Sequence, residues 1–106
     1  MEASSGEQPV TLEEIRRTLQ NPEPPATLSD PLRALWHDGR GEWERAHQIA
    51  QDIEDETGAW IHAYLHRREG DLGNAAYWYH RAGQPVATDD LDAEWSRIVS
   101  ALLGHI

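Results

Sequence analysis

The chain of 106 residues contains no cysteine, no lysine and no phenylalanine, and only one methionine. Without cysteine there is no disulfide framework, no thiolate nucleophile and no cysteine-ligated zinc site. Histidine, carboxylate and hydroxyl groups are left to carry any chemistry. Positive charge is scarce as well: nine arginines stand against 19 acidic residues, a formal charge of -10. Phosphate recognition needs clustered cationic side chains to release counterions, so nucleic acid and anionic membrane surfaces are excluded as expected partners. No apolar run approaches the roughly 18 residues of a membrane span. Met1 to Val10 lacks the basic and apolar segments of an export signal, which reads as a cytoplasmic chain. A glycine-rich phosphate loop, a nucleophile elbow and an H-E-x-x-H helix are also missing. The carboxylate pairs Glu13-Glu14 and Asp89-Asp90 stand at helix starts, where negative charge suits the helix dipole. The balance leans against an enzyme.

What is present is a globular composition, 39% hydrophobic and 26% charged, with strong helix punctuation. Residues 1–10 are polar and aperiodic and are expected to form a disordered tail, leaving 11–106 as a single α-helical domain. Thr11-Leu-Glu-Glu14 is a capping box, and the three prolines between Asn21 and Asp30 interrupt helix. Asp30 as N-cap, Pro31 at the first helical position and Gly39 past the end frame the next helix. Apolar residues at helical spacing then place further helices, with Gly83 and Pro85 stopping the fifth. The expected helices run over about 11–20, 31–38, 42–55, 58–68, 72–82 and 89–103. The expected apolar stripe of the fifth is Leu72, Ala75, Ala76, Tyr79 and Ala82.

The chain also matches itself at an offset of 29 residues. Leu35-Trp36-His37, Gly41-Glu42-Trp43 and Ala46 superimpose on Tyr64-Leu65-His66, Gly70-Asp71-Leu72 and Ala75. The repeated element is a helix, a glycine–acid turn and a second helix, so two helical hairpins in tandem are expected. Gly70, Asp71, Leu72, Ala75, Tyr79 and Ala82, with Pro85 beyond, resemble the turn and second helix of tetratricopeptide and Sel1-like repeats. The first copy departs from that pattern at Ala50 and Ile53, and the 29-residue period is short of the tetratricopeptide's 34. The resemblance implies a right-handed stack of hairpins with capping helices at both ends. It further implies a non-catalytic module that binds a protein or peptide in a groove lined by helices 31–38 and 58–68.

Six histidines are the chain's remaining chemical resource. At about 100° per residue, His62 and His66 share the side of their helix opposite Trp60, Ile61, Tyr64 and Leu65. Arg33 and His37 occupy the equivalent side one repeat earlier. The four are expected to form a surface quartet able to receive an anionic partner. Three imidazoles could equally hold a divalent metal, with His37, His62 and His66 as candidate ligands and His47 as a further member of the cluster, and this small metal- or ligand-binding protein is the alternative reading. His47 stands apart, because it falls inside an apolar stripe with Trp43, Ala46 and Ala50, as a core or pocket-lining residue. Trp36, Trp43, Trp60 and Trp95 fit core stripes. Tyr77 and Trp78 sit off the main stripe of their helix, with Asn74 and Arg81 beside them, as a candidate surface for a partner or for a homodimer.

Overall fold

The computed structural model describes residues 11–104, so the expected tail at 1–10 and His105 lie outside the described residues. Six helices follow one another: α1 (Leu12–Thr18), α2 (Asp30–Gly39), α3 (Trp43–Gln51), α4 (Glu56–Arg68), α5 (Leu72–Ala82) and α6 (Leu91–Leu102). No strand occurs among the described residues, and the fold is all-α.

Local sequence accounts for most helix ends. Thr11 and Glu14 exchange both bonds of the capping box that opens α1. Asp71 and Asp90 cap α5 and α6 by accepting from the amides of Asn74 and Ala93. Gly83 closes α5 in the left-handed conformation at φ 69°. Four ends differ from expectation. Ser29, not Asp30, is the N-cap of α2, and Asp30 accepts from Arg33 Nη2 at 2.8 Å instead. α3 stops at Gln51, and α4 begins at Glu56 because Asp55, rather than Thr57, accepts from the Gly58 amide. Gly39 is the last residue of α2 rather than its left-handed terminator. A Cβ there would stand 3.1 Å from Leu19 Cδ2 and from Trp95 Cζ2, so the glycine serves close packing.

The left-handed position after α2 belongs to Gly41 (φ 82°), and after α4 to Gly70 (φ 90°). The two turns are bonded alike. Gly41 N donates to Asp38 O (2.8 Å) and Glu42 N to His37 O (2.9 Å); 29 residues later Gly70 N donates to Arg67 O (3.0 Å) and Asp71 N to His66 O (2.9 Å). These turns fold α2 onto α3 and α4 onto α5, while α3 also packs on α4.

α2 and α4 are the central elements. α6 packs against both, and α1 packs on α6. The main core joins Leu35, Trp36, Ile61, Tyr64, Trp95 and Ile98, all almost fully buried, and a smaller one joins Ala63, Ala75 and Tyr79. Buried indoles find acceptors: Trp36 Nε1 donates to Thr18 Oγ1 (3.0 Å) and Trp95 Nε1 to Leu35 O (2.9 Å). Trp43 and Trp60 are only half-buried and pack at the edge of the core. Leu72 and Ala76, expected on the buried stripe of α5, are exposed, Leu72 at 65%. Leu72 is the first residue of its helix, whose buried residues are Ala75, Tyr79 and Ala82.

Candidate functional site

The position of α6 decides what α2 and α4 can offer. Trp95, Ile98 and Val99 fill the core against these helices, and a cavity of about 270 Å³ opens where they meet, lined by Asp38, Gly39, Tyr64, Arg68, Asp92 and Trp95. Arg33 pairs with Asp30 at 2.8 Å and lines a surface cavity with Arg45, Gln48 and Asp52. His37 Nδ1 lies 2.7 Å from Glu42 Oε1, with its ring edge-on to Trp36. The expected quartet is therefore not brought together: Arg33 and His37 are held by acids of their own, and His62 and His66 turn elsewhere.

His62 and His66 are buried, each only 8% exposed, and face His47 on α3. Their burial follows from the central place of α4, which packs on α3, α5 and α6 at once. The i, i+4 spacing sets the two rings nearly parallel, 15° apart with centroids 4.9 Å apart. His47 stands edge-on to His62, and their Nε2 atoms are 2.9 Å apart, so one nitrogen donates and the other accepts. Trp78 stacks on His62 at 4.1 Å and 7°, and Trp43 stacks on His47 at 4.9 Å and 10°. Trp43 is itself fixed by donating from Nε1 to Leu65 O at 2.8 Å. His66 Nδ1 is 2.8 Å from Glu69 Oε2.

Burial favours the neutral form of His62 and of His47. Burial, with the neighbouring His47 and His66 adding to it, pushes His62 down to about 4. His47 is lowered by burial and then by His66. One ligand atom from each of His47, His62 and His66 lies within 4.8 Å of the others. Of the residues named for the histidine cluster, the structure gathers His47, His62 and His66 and leaves His37 outside.

Tyr77 and Trp78 share one patch on α5. Tyr77 is 53% exposed and edge-on to Trp78 at 5.3 Å. Arg81 donates to Tyr77 Oη at 3.2 Å and lies over the Trp78 ring at 5.3 Å. Beside them opens a cavity of about 370 Å³ floored by Gly58 and Ala59, with Glu54, Asp55 and Arg81 at its margin.

Two buried acids were not nominated from the sequence. Asp38 accepts from Tyr64 Oη at 2.8 Å and faces Arg68 Nε at 3.2 Å, and burial raises its pKa. Glu94, wholly buried, accepts from Arg67 Nη1 at 2.7 Å and from Tyr79 Oη. Asp38 is legible in hindsight, since an acid in the last turn of a helix opposes the dipole and calls for a local partner. Glu94 carries no such signal, because an acid in a first turn is ordinary. Both tyrosine hydroxyls are pushed upward by burial and remain donors. These two triads tie α2 to α4 and α4 to α5 and α6, which is a structural task.

The chain matches no protein-family model, no curated protein and no solved structure. Among the described residues no helix is long and apolar enough to cross a membrane.

Proposed function

We propose that the chain is a short helical-repeat module of the tetratricopeptide or Sel1-like kind. In this reading it binds a protein or peptide partner, without catalysis, on the outer face of α5. The repeat reading is supported by the identically bonded turns at Gly41 and Gly70. The binding reading rests on one observation: Tyr77, Trp78 and Arg81 pack on one another at the surface, beside a cavity large enough for a side chain. Aromatic and arginine side chains are the residues most enriched where partners are gripped, because they offer large area at low entropic cost. Glu54 and Asp55 at the margin favour a partner side chain that is basic. This face replaces the groove between α2 and α4, and a basic peptide replaces the anionic one that the quartet implied.

The test is selection of peptides from a displayed random library on the immobilised chain. Selected peptides should lose at least tenfold in affinity on Tyr77→Ala or Arg81→Ala, with the melting temperature unchanged. Absence of enrichment, or equal binding to both variants, would contradict the reading.

A further inference from the structure

Three of the six histidines in this chain meet at the junction of the two hairpins, and their arrangement exceeds what packing requires. A hydrogen bond between His47 and His62 uses one nitrogen of each ring, and Glu69 uses one nitrogen of His66. The other three ring nitrogens make no hydrogen bond to protein among the described residues. None of those three nitrogens is both buried and unpartnered, so each meets solvent, from which an ion could reach it.

We propose that His47, His62 and His66 form the binding site of a single divalent ion of the late first-row transition series, with zinc the reference case. The two α4 histidines stand one turn apart on one helix face, the spacing of a chelating i, i+4 pair, and their stacked rings have to tilt for both lone pairs to converge on the ion. His47 closes the set from α3. Two nitrogens bound at about 2.05 Å to a tetrahedral ion stand roughly 3.3 Å apart. The 2.9 Å between His47 Nε2 and His62 Nε2 therefore has to open by only a few tenths of an ångström. Trp78 and Trp43 clamp His62 and His47 by stacking, so little side-chain freedom is left to lose on binding. Three neutral imidazoles without thiolate or carboxylate select zinc, copper, nickel or cobalt over magnesium and calcium. They also leave a fourth position for water.

Glu69 is the positioning residue. Its Oε2, 2.8 Å from His66 Nδ1, holds the proton on that nitrogen and leaves Nε2 with its lone pair for the ion. Such carboxylate–histidine pairs fix the ring and raise its basicity, and losing one weakens metal affinity about 10- to 100-fold.

The test uses the full tag-free chain, stripped of metal and titrated with zinc, followed by calorimetry and by the nitrogen shifts of the imidazoles. The expected result is saturation at one equivalent, with the shifts of His47, His62 and His66 moving together while those of His37 and His80 stay. Excess magnesium should not compete. Glu69→Gln should keep the stoichiometry, weaken binding 10- to 100-fold and change the His66 tautomer read from its nitrogen shifts. His47→Asn tests the ligand set directly. Should that variant unfold, cobalt added to the unmodified chain gives the same answer, through the intense visible bands of a tetrahedral nitrogen-ligated ion. Three results would overturn the proposal: no saturable binding, binding that magnesium displaces, or equal movement of His37 and His80.

Discussion

The Nε2 atoms of His47 and His62 lie 2.9 Å apart across the α3–α4 interface, close enough that both rings cannot carry a proton there at once. One hydrogen fills that gap, and a second would break the bond and set a positive charge in a space walled by Trp43 and Trp78. His47 and His62 thus form a neutral pair between the hairpins.

Stability should consequently depend on pH. The folded-state pKa of His62 is about 4, below the ordinary histidine value of about 6.5, so the unfolded chain binds the extra proton first. The contribution is full above about pH 6.5 and is lost as pH falls towards 4. At most it amounts to about 3 kcal/mol, at 1.36 kcal/mol per unit. Urea midpoints measured between pH 7.5 and 4.5 should fall, and His62→Phe should flatten the profile over that range. A wild-type midpoint that does not change with pH would contradict the neutral junction.

The buried acids make a second prediction. Tyr64→Phe removes the hydrogen-bond donor to Asp38 Oδ2, and Tyr79→Phe does the same to Glu94. Each should cost about 1–3 kcal/mol. Arg67→Met leaves the wholly buried Glu94 without its cation and should cost about 3–5 kcal/mol. Equilibrium denaturation at pH 7 reads all three, and costs under about 0.5 kcal/mol would mean that these acids are not buried as described.

Two glycines should respond to alanine with opposite signs. At Gly58 an added Cβ would sit 2.0 Å from the Ile53 carbonyl oxygen, so the α3–α4 connection has to shift and the protein loses several kcal/mol. At Gly73, in the first turn of α5, the Cβ meets nothing within 4 Å, and the helix gains about 0.5 kcal/mol. Thermal melts of the two variants check the contrast.

Helix identity was largely legible from caps and periodicity, as Thr11, Asp71 and Gly83 illustrate. The glycine–acid turns were legible because only glycine relaxes at the positive φ that Gly41 and Gly70 adopt. The histidine junction was half legible. Reading α4 as one buried face and one wet face placed His62 and His66 in solvent, whereas a helix contacted by four others has no wet face over most of its length. The signal was present: Thr57 to His66 contains no charged residue, in a chain that is 26% charged. His47 was legible as an imidazole on an apolar stripe, but its pairing across α3 and α4 depends on a helix-to-helix register that spacing does not encode. Nor does periodicity say where α6 will dock against α2 and α4.

The histidine junction is tested most directly by anomalous diffraction at the zinc absorption edge, from crystals of the chain loaded with one equivalent of zinc. One anomalous peak is predicted, about 2.0–2.1 Å from a nitrogen of each of His47, His62 and His66. A peak seated instead on His66 with the exposed Glu69 and Asp71, or no ordered peak at all, would contradict it.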